Sequence, residues 1–188
     1  MPMVRGSPNP RHLGLPARLR KARKKSGLTR AALGPKVGRD SEVAAYIESG
    51  QRLPTVRTVA LLASGLGISA GWLGYGLGDP DTAGLAATCD GMGARLAAVR
   101  VEQGITKAAL ARLVGLSPGT VADIENGAQT GIDVLEALAK ALNVSPAWLA
   151  FNLGPQMLPK RRRAAVGSAR AAVAVTGPTP CAAGRGPT

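Results

Sequence analysis

The chain has 188 residues and a formal net charge of +13, and its hydrophobic residues, 45% of the whole, are mostly Ala, Leu and Val. That length holds two small domains with tails, and so few aromatics (Phe151, Trp72, Trp148, Tyr46 and Tyr75) suit an all-helical bundle better than a β-sandwich. No run of 18 apolar residues reads as a membrane span, Cys89 and Cys181 make neither a disulfide framework nor metal-ligand spacing, and His12, the single histidine, leaves no nucleophile–base or metal constellation. The chain therefore reads as no enzyme, with no catalytic site, no metal and no cofactor. The absence of a leader pattern predicts a reduced, cytoplasmic protein of bacterial style.

Residues 1–14, with three Pro and two Gly, read as a flexible N-terminal segment. The first domain is predicted over 15–76. Its first helix, 15–25, is amphipathic, with Leu15, Leu19 and Ala22 on one face. Thr29 has the chemistry of an N-cap for a second helix running to about Val37. Gly34-Pro35 interrupts that helix and predicts a short or kinked element. Gly38 supplies a left-handed turn residue before a third helix from about Ser41 to Glu48. Val56, Val59, Leu62, Ala63 and Leu66 mark a fourth helix, and Ser69 caps a fifth that contains Trp72.

A linker over 77–90 contributes three acidic residues and no basic one. The second domain, 91–155, repeats the five-helix pattern with clearer caps at Thr106 and at Ser117-Pro118. Residues 156–188 are expected to form a disordered basic tail, since from Pro159 on, with the run Lys160-Arg161-Arg162-Arg163, the chain lacks the large apolar side chains that offset ordering entropy.

The two domains are one sequence written twice. Arg18-Leu19 matches Arg95-Leu96, Thr29 matches Thr106, Val37-Gly38 matches Val114-Gly115, Ile47-Glu48 matches Ile124-Glu125, and Trp72-Leu73 matches Trp148-Leu149. A one-residue deletion near 130 is the sole shift of register, and the period is too long for a solenoid unit, so a small domain has been duplicated. The charge did not follow: residues 15–76 carry a net +8, whereas residues 91–155 are neutral. An excess of Lys and Arg on one compact domain points to a polyanion, of which nucleic acid is the commonest; a merely solvated basic face is the plain alternative.

The strings Gly27-Leu28-Thr29…Val37-Gly38…Ile47-Glu48-Ser49-Gly50 and Gly104-Ile105-Thr106…Val114-Gly115…Ile124-Glu125-Asn126-Gly127 resemble the Cro/C1-type helix-turn-helix family. The resemblance implies an all-α fold of two tandem five-helix, lambda-repressor-like domains with flexible termini. It implies a structural ion pair between the first and third helices of each copy, Arg23 with Glu48 and Arg100 with Glu125. By the same resemblance, duplex DNA is met in copy one by Arg30, Ser41, Glu42, Tyr46 and Arg52, with Lys21, Lys24, Lys25, Arg39 and Arg57 attracting the phosphates. At matching positions copy two has Lys107, Pro118, Gly119 and Asp123, which offer little to a base edge.

The leading expectation is thus a transcription regulator that binds double-stranded DNA mainly through the first domain, with a homodimer as one way to gain affinity. The alternative is a protein-interaction module, antitoxin-like or an anti-repressor partner, that uses the degenerate helix-turn-helix domains as docking surfaces, with domain 2 and its neutral surface as one place for a protein partner. The Lys160–Arg163 run is either a phosphate-holding arm or a solubilising tail.

Overall fold

In the computed structural model, residues 10–81 and 89–157 are described. Residues 1–9 of the expected N-terminal segment, residues 82–88 of the linker, and residues 158–188 of the tail, with the Lys160–Arg163 run, lie outside the described residues.

Hydroxyl caps begin six of the helices. Thr29 and Thr106 each accept from the backbone N–H three residues on, at 3.1 Å, and Thr55, Ser69, Ser117 and Ser145 cap their helices in the same way. Each satisfies a donor that the first turn cannot, a contribution of about 1 kcal/mol. The helices of copy one are α1 (Leu15–Lys25), α2 (Arg30–Lys36), α3 (Val43–Glu48), α4 (Val56–Leu66) and α5 (Ala70–Tyr75). Those of copy two are α6 (Met92–Glu102), α7 (Lys107–Val114), α8 (Pro118–Glu125), α9 (Ile132–Ala141) and α10 (Pro146–Phe151). Between the second and third helices of each copy the chain turns at a left-handed glycine, Gly38 at φ +65 and Gly115 at φ +74.

Copy one departs from the even repeat at its turn. Helix α2 runs through Pro35 to Lys36, one residue shorter than α7. The carbonyl of Asp40 sits so close to Gly34 that a Cβ there would overlap it; copy two has Ala111 at that place, and three residues separate α7 from α8 where six separate α2 from α3. Helix α3 consequently begins at Val43 rather than near Ser41, and Glu42 precedes it without a side-chain cap, whereas α8 starts two positions earlier behind Ser117.

Leu19, Leu33, Ile47, Leu62 and Leu73 close the core of copy one, and Leu96, Leu110, Ile124, Leu138 and Leu149 close that of copy two. The two cores are joined. Helix α5 packs on α10, with the rings of Tyr75 and Phe151 buried 6.3 Å apart. Tyr75 Oη donates to the carbonyl of Ile132 at 3.2 Å, and Thr55 and Gly131 form an antiparallel bridge, the only β-type pairing among the described residues. Residues 11–14, expected to be flexible, instead form a 3-10 helix (Arg11–Gly14). The carboxylate of Glu136 on α9 fixes it, accepting from the backbone N–H groups of Arg11 at 2.6 Å and His12 at 3.0 Å and lying 2.7 Å from His12 Nδ1.

Candidate nucleic-acid interface

Glu48 organises the scaffold beneath the surface of copy one. Its side chain is 0% exposed, and its carboxylate accepts from Arg23 Nε at 2.6 Å and Arg23 Nη2 at 3.1 Å. Arg23 also donates to the carbonyl of Leu28 at 2.7 Å, so the pair ties α1, α3 and the loop into α2. Copy two repeats the arrangement: Arg100 reaches Glu125 at 2.6 and 3.1 Å and the carbonyl of Ile105 at 3.0 Å. Burial pushes each carboxyl up, but the arginine hydrogen bonds and charges outweigh it, and both Glu48 and Glu125 end below the ordinary carboxylate range.

Arg30 does not stand free. Its Nε donates to Glu48 Oε2 at 2.9 Å while the side chain stays 55% exposed, so it lies along the edge of the ion pair as much as toward solvent. Lys107 holds the matching place in copy two, 3.4 Å from Glu125. Arg20 adds a third cation, its Nε 3.7 Å from Glu48. Lys25 pairs with Asp81 at 2.9 Å on the exposed surface, which counters part of its attraction for phosphates. Lys21 and Lys24 on α1 are exposed.

The other candidates come together. Arg39, Ser41, Glu42, Tyr46 and Arg52 line one open cleft of about 570 Å³ at the start of α3, and Arg57 from α4 lines it too. Tyr46 Oη donates to Glu42 Oε2 at 2.7 Å, an i to i+4 contact that fixes both side chains and raises the phenol's pKa. Ser41 lies in the turn before the helix, and Arg39, Arg52 and Arg57 are exposed. The cleft therefore presents three guanidinium groups, the hydroxyls of Ser41, Thr55 and Thr58, a phenol, and the two carboxylates of Asp40 and Glu42, so groups that suit phosphates and base edges stand beside two that repel phosphate. Gln129, from the loop after α8, lines the same cleft, so a residue of copy two completes it. That neighbour could not be read from spacing, because it depends on how the copies pack.

Two further arginines have a place that the repeat marked by their presence in both copies. Arg18 donates to the carbonyls of Leu73 at 2.8 Å and Gly74 at 2.7 Å, and Arg95 to those of Leu149 and Ala150, both at 3.0 Å. Each satisfies carbonyls near the end of the fifth helix, which the helix itself leaves without donors, so these cations serve the fold rather than a ligand.

Among the described residues, no group of three or more His, Cys, Asp or Glu could hold a metal ion, and no helix is long and apolar enough to cross a membrane. Compared with curated proteins and with solved structures, the chain gives no match. A family model described as Helix-turn-helix matches residues 19–73 and, again, residues 96–149. These two segments span more than half of the chain and coincide with the two five-helix copies, so the chain belongs to the Cro/C1-type helix-turn-helix family, as a tandem duplication.

Proposed function

We propose that the chain is a DNA-binding transcriptional regulator that holds duplex DNA mainly through copy one. The observation that carries this reading is the cleft at α3, which gathers Arg39, Arg52 and Arg57 around Ser41 and Tyr46 on the domain that carries the net positive charge. Guanidinium groups supply the salt-dependent grip on phosphates, and the hydroxyl, phenol and carboxylate supply groups that distinguish bases. Arg30, anchored on Glu48, serves as an edge contact to phosphate.

Selection of bound sequences from a random duplex library, followed by mobility-shift titration against salt, tests it. The expected result is a preferred sequence, with the slope of log affinity against log salt falling by about one for each of Arg39→Ala, Arg52→Ala and Arg57→Ala. Equal binding to every duplex at low salt, with none near physiological salt, overturns the regulator reading.

A second reading, docking of a protein through copy two, is favoured by Val101 and Leu113, which are 65% and 66% exposed where copy one has Lys24 and Lys36. A stable protein complex that survives Arg52→Ala and Tyr46→Phe would favour that reading.

A further inference from the structure

The contact between the copies is built from like on like. Positions 55 and 131 are counterparts in the repeat, and they pair with each other in the antiparallel bridge. Val56 N–H donates to the carbonyl of Thr130 at 3.0 Å, and its counterpart Ile132 N–H donates to the carbonyl of Pro54 at 3.3 Å. Tyr75 and Phe151 are counterparts, and their rings meet. Gly71 and Ala147 are counterparts too, and a Cβ on Gly71 would stand 3.0 Å from that of Ala147. Position i of one half meets position i of the other on a two-fold axis, and paired contacts are exchanged reciprocally around it; this is the signature of an isologous dimer. Here both halves belong to one polypeptide.

The operation that carries 54–56 onto 130–132 exchanges the five-helix copies, so it brings α3 to the place of α8, whose first two residues have no helical counterpart in copy one. Duplex DNA has two-fold axes of its own, and dimeric helix-turn-helix proteins use them to set two recognition helices on half-sites about one helical turn, roughly 10 bp, apart. Resting on the DNA-binding reading above, we infer that one chain spans two adjacent half-sites as a monomer, with copy two in the place of a second subunit. The surface that would pair two chains is already spent inside one.

The half-sites are unequal. Arg39, Ser41, Glu42 and Tyr46 have as counterparts Leu116, Pro118, Gly119 and Asp123, and Arg52 has Gln129. Copy two has Lys107, Arg112 and Thr120 on α7 and α8, donors that suit phosphates, while the positions matching the cleft of copy one carry no arginine. The ligand is therefore an asymmetric duplex: one half-site that is read, followed by a turn of DNA that is held whatever its sequence.

The full chain, a selected duplex of about 20 bp, the same duplex with its second half scrambled, and a half-length duplex of about 10 bp test this, with complex mass read by native mass spectrometry. One chain per long duplex is expected. Scrambling the second half should change affinity less than about threefold, and removing it should weaken binding at least about tenfold, because its phosphate contacts go with it. Gly71→Leu, which wedges α5 from α10, should weaken binding to the long duplex and leave the half-length duplex unaffected, with helical content checked by circular dichroism.

Two chains per long duplex, or equal affinity for the half-length duplex, overturns the monomer inference while sequence-preferring binding keeps the proposed function. No preference on any duplex removes both.

Discussion

Replacing Glu48 by Gln takes away the carboxylate that Arg23 meets inside copy one. The Glu48 side chain is fully buried and that of Arg23 is 10% exposed, so the guanidinium left behind is largely without counter-charge or water. Breaking a buried pair from one side costs about 3–5 kcal/mol. The low end applies here, because the Gln amide oxygen still accepts one hydrogen bond and Arg30, more than half exposed, recovers water. A loss of about 3 kcal/mol is a large share of the roughly 5–15 kcal/mol by which a folded domain is stable. Urea unfolding at neutral pH, followed by circular dichroism, measures it.

The pH dependence gives an independent reading. The folded-state pKa of Glu48 is depressed, so the stabilisation by its ionised form is fully present above the unfolded value of about 4.3 and is lost as pH falls through the folded value. Glu48→Gln should therefore flatten the acid limb of the stability profile relative to the native chain, leaving the part contributed by Glu125. The double variant Arg23→Met with Glu48→Leu should recover much of the loss, since neither buried charge remains. A Glu48→Gln loss below about 1 kcal/mol with an unchanged acid limb would refute the assignment of Glu48 as the hub of copy one.

Two glycines separate local preference from tertiary crowding. Gly34→Ala should destabilise by at least about 1–3 kcal/mol, because the new methyl overlaps the Asp40 carbonyl, whereas Gly119→Ala on the exposed start of α8 should stabilise by about 0.5 kcal/mol. Equal effects in urea unfolding would remove the tight turn from the account of copy one. At the joint between the copies, Tyr75→Phe should lose about 1 kcal/mol with the hydrogen bond to Ile132, and Tyr75→Ala about 3–5 kcal/mol with the buried ring. A Tyr75→Ala loss below about 1 kcal/mol, or two separate unfolding transitions in the native chain, would mean that the cores are not joined.

How far the sequence reaches can be followed residue by residue. Thr29, Thr106, Ser69 and Ser117 announced helix starts, and Gly38 and Gly115 announced the turns, because a cap or a left-handed residue acts on backbone within a few positions of itself. The duplication declared the five-helix unit twice over, and the matched arginines and glutamates stand close in space in both copies. Ser41, Glu42, Tyr46 and Arg52 share a cleft because they lie within twelve residues around one turn.

Other features needed the folded chain. Arg30 has a long side chain that reaches DNA and Glu48 equally well on paper, and the burial of Glu48 decides the partner. His12 sits in a stretch with the composition of a flexible segment, and Glu136, 124 positions away, holds it. The internal two-fold is the clearest case. Thr55, Tyr75 and Gly71 carry no local signal that they meet their own counterparts, since which surfaces of two similar domains face each other depends on the shape and burial of whole faces. Sequence alone therefore determined that the domain is present twice and that its charge went to one copy. Tertiary packing decided that the copies close on each other as a dimer does, because only there do buried aromatic area and reciprocal backbone hydrogen bonds add together.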